Sequence, residues 1–219
     1  MYRSRMHAVL LGFSFLTATA ALAQTGEAPR KNEIGLVIGA TETPSIGLTS
    51  GGPINLNSSL ALGAEYDRRL LGEHTTLYVG VDFLASPNDV KVSHPPSAVS
   101  PEYAYLFLSP HIKVKFNSTR AFQPWLSFGG GYADFAPASP KSGNVNVKGQ
   151  GDSGTLEFGG GVDTCPFIQF KGLPLLKNLP IGGRFEVRDF YSGQPHYGVD
   201  TRGTLQNNLS FTGGLLIRF

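Results

Sequence analysis

Charged side chains recur at every second position in several stretches of the chain. The residues concerned are Glu65, Asp67, Asp82, His111, Lys113, Lys115, Glu157, Asp163, Arg184, Glu186 and Arg188. Because alternate side chains of an extended strand point to the same face, this spacing predicts faces on which both signs of charge lie together. Such a set can form a fixed lattice of ion pairs, or it can conduct ions and transfer protons. We expect the fixed lattice and keep conduction or acid–base work as the alternative.

Hydrolytic chemistry is a weaker interpretation of the polar residues. A Ser-His-acid arrangement needs a histidine within hydrogen-bond reach of a serine. The late part of the chain offers Ser192, His196 and Ser210, but no His-x-Ser pair lies on a predicted strand. Further upstream, Ser109 and His111 share one face of a strand. We therefore predict that the protein is not an enzyme and keep a hydrolase as an alternative.

Metal and phosphate sites are not indicated by the remaining residues. The five histidines are scattered and Cys165 is the only cysteine, so no cluster has the spacing of metal ligands. The two Gly-Gly-Gly runs, 129–131 and 159–161, neither begin a helix nor precede Lys-Ser/Thr, as a phosphate-binding loop would. We expect no metal and no cofactor, and we expect these glycines to let large neighbours pack against bare backbone.

The most regular alternation of side chains in the sequence is that of the C-terminal stretch 205–219. Its residues alternate between apolar and mostly polar side chains and end on an aromatic residue. This period of two predicts a final strand with one apolar face. That face carries Phe211, Leu215, Ile217 and Phe219.

Seven earlier stretches share this alternation. We predict strands at about 33–41, 58–68, 75–85, 102–116, 122–135, 155–165 and 181–191. Helical periodicity is scarce, and after Gln24 no stretch approaches the ~20 apolar residues of a transmembrane helix. The sequence therefore predicts an all-β fold, an eight-stranded antiparallel up-and-down transmembrane β-barrel.

The connections between these strands alternate in length. Four long connections, rich in Gly, Pro, Ser and Asn, cover 42–57, 86–101, 136–154 and 192–203. Two short ones cover 69–74 and 117–121. Long loops at one end and short turns at the other are typical of outer-membrane barrels. Residues 166–180 depart from this pattern, because a long apolar segment with three prolines stands where a short turn is expected.

The charges fall on one face of each predicted strand. A cationic residue facing lipid near the bilayer midplane costs about 2–4 kcal/mol, so a transmembrane barrel requires this segregation. A soluble lipocalin-like barrel would instead turn the apolar face inward. The balanced signs on the polar face favour a polar lumen, as do the aromatic residues near the strand ends of the apolar face. These aromatic residues are Tyr66, Phe83, Phe116, Phe122, Tyr132, Tyr191 and Phe219. Because eight strands enclose an interior that side chains can fill, we expect the lumen to be plugged.

The N-terminal residues have the pattern of a secretory signal peptide. Arg3 and Arg5 precede the apolar segment 8–16, and the small-x-small pattern at 21–23 precedes Gln24. We predict cleavage after residue 23, with a retained anchor as the alternative.

Cleavage would divide the chain into the signal peptide 1–23, a short periplasmic segment 24–32 and the barrel 33–219. The whole chain has 18 Lys and Arg against 16 Asp and Glu. The signal peptide contains two arginines and no acidic residue, so the remaining chain has equal numbers of each sign. No basic run is present, and we predict no interaction with nucleic acid.

The stretches SFGGGYADF, EFGGGVDTC, GRFEVRDFYSG and the ending NNLSFTGGLLIRF carry a family resemblance. From the signal peptide to the last strand, the chain resembles the small eight-stranded outer-membrane barrels of the OmpA membrane-domain and OmpX type. The resemblance implies a bacterial outer-membrane location with membrane lipid as a partner. It also implies that the barrel-assembly machinery reads a signal in Phe211, Leu215, Ile217 and Phe219.

Members of this family generally lack a defined activity. The resemblance therefore implies a role in membrane structure or in surface interaction through the long loops, with an unknown surface ligand. A narrow pore or transporter for small or apolar solutes is the first alternative. Because some barrels of this size act on lipid A, a lipid A-modifying hydrolase is the second alternative.

Overall fold

A computed structural model describes residues 30–93, 102–116, 121–137, 151–166, 168–169, 179–194 and 200–219. Eight long strands, β1 to β8, form the fold. They span Asn32–Glu42, Ser59–Leu71, Thr76–Ser93, Glu102–Lys115, Phe122–Pro137, Gly151–Thr164, Pro180–Gly193 and Leu209–Arg218. The predicted signal peptide, His196 and most of the 166–180 segment lie outside the described residues. Over the described ranges, no helix is long and apolar enough to cross a membrane.

Antiparallel pairing closes these strands into a barrel. Each strand pairs with its neighbours in the chain, and β8 pairs with β1, beginning with Glu33 opposite Arg218. The last residue takes part in the closure, because Phe219 and Asn32 exchange two backbone hydrogen bonds of 2.9 Å. Closure leaves the barrel without a free sheet edge. The prediction of an eight-stranded antiparallel barrel is confirmed.

One predicted strand is longer than expected. The third strand was expected to end near residue 85, but β3 continues to Ser93. Its extension pairs with β4, where Lys91 lies opposite Glu102, and with the short strand Pro53–Leu56. The alternation of residues 75–85 could not reveal this extension, because one of its partners, Pro53–Leu56, lies in the distant connection between β1 and β2.

The last strand is interrupted where the sequence predicted continuity. Leu205–Gln206 forms a separate short strand, and β8 begins at Leu209. At the interruption, Asn208 donates its backbone N–H and its side-chain amide to the carbonyl oxygen of Phe190, at 3.1 and 2.8 Å. Asparagine side chains compete with regular ladder bonds in this way.

A short hairpin covers part of the connection between β1 and β2. Ile46–Gly47 pairs with Pro53–Leu56 through a turn in which Gly51 and Gly52 have φ values of 100° and 82°. Such positive φ values favour glycine, which has no Cβ to clash. The hairpin contacts the connection before β8, where the N–H of Thr49 donates to the carbonyl oxygen of Asp200 at 3.0 Å. We call residues 46–56 the mouth hairpin.

The side chains inside the barrel form two layers. The charged layer lies in the half that contains the chain ends and the short turns. The aromatic layer lies in the half that contains the long connections. The aromatic layer is a cluster of buried residues: Ile46, Leu48, Ile54, Ala61, Leu84, Tyr103, Tyr105, Phe107, Ala133, Phe135 and Phe190. Three of its members belong to the mouth hairpin, so the hairpin is packed onto the barrel interior.

Candidate functional site in the barrel interior

The outer wall of the barrel is apolar. Large hydrophobic side chains stand exposed on every strand, and the rings of Phe122 and Phe185 are each 68% exposed. Others are Leu36, Ile38, Leu60, Leu62, Val79, Leu108, Ile112, Leu126, Phe128, Leu156, Phe158, Val187, Phe211 and Leu215. A soluble protein rarely exposes so continuous an apolar surface, whereas lipid chains would cover it at no cost. The wall is therefore suited to lipid.

All eleven charged residues singled out in the sequence point inward and are buried. They occupy β2, β3, β4, β6 and β7, and the strand alternation puts each on the inner face. Buried charges are tolerated only when they are paired and hydrogen-bonded. The pairs below belong to a single connected set, which we call the lumen network.

Arg184 is the centre of the lower part of this network. Its Nε and Nη2 atoms donate to the two carboxylate oxygens of Asp163, at 2.8 and 2.9 Å. The same guanidinium also donates to Glu65. A planar guanidinium suits such a two-bond contact with a carboxylate, which fixes its orientation as well as its charge.

Arg188 lies four residues further along β7 and binds four carboxylates. Its Nη2 atom is 2.8 Å from Glu65 and 3.2 Å from Glu186. Its Nη1 atom is 3.2 Å from Asp82 and also donates to Glu157. Glu65 therefore connects the two arginines, and the network extends from β7 across the lumen to β2 and β3.

Lys113 and His111 contact the same two carboxylates of β2. The Nζ atom of Lys113 donates to Glu65 and, at 2.5 Å, to Asp67. The Nε2 atom of His111 lies 2.9 Å from Asp67 and 3.1 Å from Glu65. Glu65, Asp67 and His111 offer three metal-type ligand atoms within 4.8 Å of one another. Because the Lys113 ammonium already pairs with both carboxylates, this group serves ion pairing rather than metal binding.

Glu33, near the start of β1, is a network residue that the sequence reasoning missed. It is buried and accepts hydrogen bonds from Lys115 at 2.5 Å and from Arg218 at 3.0 Å. Lys115 also lies 2.7 Å from Asp163, which joins Glu33 to the centre of the network. The signal was present, because Glu33 alternates with the outward-facing Ile34.

Trp125 is the second residue that the sequence reasoning missed. Its ring is fully buried in the charged layer, and its indole N–H donates to Asp163 at 3.2 Å. Lys113 Nζ lies 4.5 Å from the ring centroid, and the guanidinium carbons of Arg188 and Arg184 lie at 5.1 and 5.3 Å. Cations over an indole ring are attracted by its π-electrons. Trp125 therefore fills space between like charges.

Glycines make room for these large side chains. A Cβ at Gly161 would lie 2.7 Å from the Trp125 ring, and a Cβ at Gly35 would lie 2.8 Å from Nη1 of Arg184. Both distances are shorter than a real Cβ contact, so a side chain at either position would displace the network. Gly161 belongs to one of the two glycine runs.

The aromatic layer closes the lumen above the network. The rings of Phe107 and Phe190 stack with centroids 4.5 Å apart, and Phe135 meets Phe107 edge-on at 5.8 Å. Phe107 and Phe190 are 0% exposed. Such close packing is that of a protein core. In the described part of the chain, buried side chains thus lie in both halves of the interior.

The described residues of the two candidates for hydrolysis are buried. Ser109 and His111 share the inner face of β4, and both are buried in the lumen. Ser192 bonds to Asn208, and Ser210 donates to the carbonyl oxygen of Arg188. His196 lies outside the described residues. Within the described part of the chain, the geometry brings no serine and histidine together at an accessible surface.

The residues of the suggested assembly signal lie on the outer face of the closing strand. Phe211 and Leu215 are exposed, and Ile217 and Phe219 are half-buried. Ile217 is placed between Ile34 of β1 and Ile181 of β7.

Comparisons with known proteins concern the fold. No protein-family model matches the sequence, and no curated protein matches it. The chain is similar to the solved structure of Neisserial surface protein A, at 11% identity and a TM-score of 0.48, covering 86% of this chain and 97% of that one. It is also similar to the outer membrane protein AlkL, at 13% identity and a TM-score of 0.49, covering 90% and 94%. The outer membrane protein OprG from Pseudomonas aeruginosa is similar at 15% identity and a TM-score of 0.46, covering 87% and 96%.

The geometry itself determines the class of the protein. Antiparallel strands form a closed ring, the apolar side chains cover the outside, and the charged side chains pair inside. The resemblance stated from the sequence is confirmed at the level of this fold. The chain is an eight-stranded β-barrel of the transmembrane type.

Proposed function

We propose that this protein is an outer-membrane barrel that does not conduct and that acts in membrane structure or surface interaction. One observation carries the proposal: buried side chains of the lumen network occupy one half of the barrel interior, and those of the aromatic layer occupy the other half. A lumen filled by bonded charges and packed rings offers no continuous path for water. The protein would then act through its exposed surfaces.

The mouth of the barrel supports an interaction role. The mouth hairpin is held from below by Ile46, Leu48 and Ile54, and from the side by its bond to Asp200. Residues 49–53 and Asn55 are exposed, and their side chains are small and uncharged. A hairpin anchored in this way presents a fixed polar surface, for which little conformational entropy is lost on binding.

Planar-bilayer recording tests the absence of conduction. We expect no steady single-channel openings from the refolded protein at any applied voltage, because the lumen is filled. An independent measurement uses Trp125, the only tryptophan of the chain. Aqueous iodide is expected to quench its emission far less in the folded barrel than in the urea-unfolded chain. Steady openings, or equal quenching in both states, would contradict the plugged lumen.

Cell fractionation tests the location. We expect the protein in the outer-membrane fraction, with gel migration that changes on heating, as a closed barrel predicts. Recovery as a soluble periplasmic protein would contradict the proposal.

The absence of enzyme activity is part of the same proposal, and an unchanged mass of lipid A on co-expression is the expected result.

Assembly is proposed to depend on the ring of Phe219. We expect Phe219→Ala to lower the amount of heat-modifiable barrel in the outer membrane several-fold. The free energy of unfolding of refolded protein should change by less than about 1 kcal/mol, because the two backbone bonds to Asn32 remain. Deletion of Phe219 is the comparison, since it removes the ring and these bonds together. Normal assembly of Phe219→Ala would contradict the assembly signal.

A second candidate, the passage of small apolar solutes through the wall, is favoured by one feature of the β4–β5 ladder. Leu108 pairs with Tyr132 and His111 pairs with Gly129, but Ser109 and Pro110 between them are unpaired across this seam. Proline has no N–H to donate and is unusual in a central strand. Dye uptake by proteoliposomes separates the candidates: uptake that Pro110→Val abolishes supports passage, and no uptake supports the plugged barrel.

A further inference from the structure

Four basic residues lie together at the end of the barrel that contains the chain ends. They are Arg30 and Lys31, which precede β1, and Arg68 and Arg69 near the end of β2. Asn32 is opposite Arg68 in the ladder, and the N–H of Arg69 donates to the carbonyl oxygen of Lys31 at 2.7 Å. The four residues therefore occupy two adjacent chain segments. We call this group the basic rim.

Tyr66 indicates the height of the basic rim relative to the lipid. Its ring is on the outer face of β2, and its hydroxyl donates to Oδ1 of Asn32 at 2.9 Å. A tyrosine with a ring against lipid and a bonded hydroxyl is typical of the membrane–water interface. Arg68 lies on the same face two residues further along, a distance of about 7 Å. The guanidinium of Arg68 is therefore at the level of the lipid headgroups.

Lys31, Arg68 and Arg69 of the basic rim differ from the lumen cations in their ion pairing. In the described part of the chain, no carboxylate is within ion-pair distance of Lys31, Arg68 or Arg69, whereas the lumen cations are all paired. Adjoining elements contribute Glu73, in the turn after β2, and the terminal carboxylate of Phe219. Among the described residues at this end, the four cations of the basic rim outnumber these two anions.

The described residues at the opposite end of the barrel include charges of both signs. Glu42, Asp152 and Asp200 are exposed there, and Arg202 is an exposed cation beside them. Anionic headgroups would be attracted by the cations of the basic rim. Arginine binds phosphate oxygens through two parallel N–H bonds, which makes phosphate the group best suited to Arg68 and Arg69.

We propose that the basic rim binds the phosphate groups of anionic phospholipids in the periplasmic leaflet. This inference rests on the proposed membrane function, because the rim is at headgroup height only in an inserted barrel. On the bilayer side of the arginines, the outer face of β2 carries Tyr66 and then Leu62 and Leu60, which are 41% and 42% exposed and lie at the level of the acyl chains. Cationic side chains next to apolar ones match a headgroup next to its chains.

Native mass spectrometry of the full-length mature protein tests this inference. Protein released from mixed micelles with equal amounts of phosphatidylglycerol and phosphatidylcholine is expected to retain mainly phosphatidylglycerol. Arg68→Gln should lower the ratio of the two adducts about fivefold, the effect of one interfacial cation. Arg68→Lys should keep most of the preference. The matched control is Arg202→Gln, which removes one exposed cation at the other end and should leave the ratio unchanged.

Two further measurements, of the salt dependence of lipid binding and of insertion into vesicles, distinguish the possible outcomes. The preference should fall as salt rises from 0.1 to 1 M, because the screening length shrinks from about 10 to about 3 Å. A heat-modifiable, lipid-inserted protein without preference for phosphatidylglycerol overturns the inference and leaves the proposed function standing. Equal losses in Arg68→Gln and Arg202→Gln also overturn it, because the effect is then not specific to the rim. A protein that does not insert into vesicles overturns the proposed function itself.

Discussion

Replacing Arg184 by methionine is expected to lower the free energy of unfolding by about 3–5 kcal/mol. The substitution leaves Asp163 without its two-bond partner and removes one cation from Glu65. Both carboxylates are buried, so water cannot replace the lost partner. Urea unfolding of the barrel in lipid vesicles, followed by heat-modifiable gel migration, measures the loss.

Two further variants determine whether the loss of stability comes from unpaired charge. Arg184→Met combined with Asp163→Leu should cost clearly less than the sum of the single changes, because the two residues are bonded to each other. Arg68→Met removes an exposed arginine and should change stability by less than about 0.5 kcal/mol. If Arg184→Met lowers the free energy of unfolding by less than about 1 kcal/mol, the lumen network is not the main source of stability in this half of the barrel.

Replacing Phe107 by alanine is expected to cost about 3–5 kcal/mol and to loosen the mouth of the barrel. Phe107 contacts Tyr105, Phe135 and Phe190 in the aromatic layer, which also holds the mouth hairpin. Its loss leaves a cavity that these rings can only partly fill. Amide hydrogen exchange at Thr49, which is bonded to Asp200, should therefore become faster.

The matched control for Phe107 is Phe128. Both are phenylalanines in neighbouring strands, but Phe128 is 54% exposed on the outer wall. Lipid can fill the space left by Phe128→Ala, so we expect a smaller loss of stability and unchanged exchange at Thr49. Equal effects of the two substitutions would show that the aromatic layer does not act as a core.

The inward-facing residues could be read almost entirely from the strand alternation. Each of the eleven predicted charged residues faces the lumen, because a period of two assigns whole strands at once. The same rule, continued along β1 and β4, identifies Glu33 and Phe107. Glu33 lies near the start of its strand and Phe107 is apolar, so neither belongs to a run of alternating charges.

The partners of these residues could not be derived from the sequence. Arg184 and Glu65 are 119 residues apart and meet only because β7 and β2 face each other across the closed barrel. The alternation of a strand predicts which face a residue lies on. It does not predict the position of that residue along the barrel axis relative to a residue on the opposite wall. The stagger of the ladders sets that position.

By itself, the sequence determined the period of two, the separation of charges from apolar residues and the number of strands, because each is a property of a single strand. The tertiary structure alone decided three things: which carboxylate binds which cation, that packed rings fill half the lumen, and that residues 46–56 cover it. All three depend on the closure of β8 against β1, which fixes the register of every ladder and the distance across the interior.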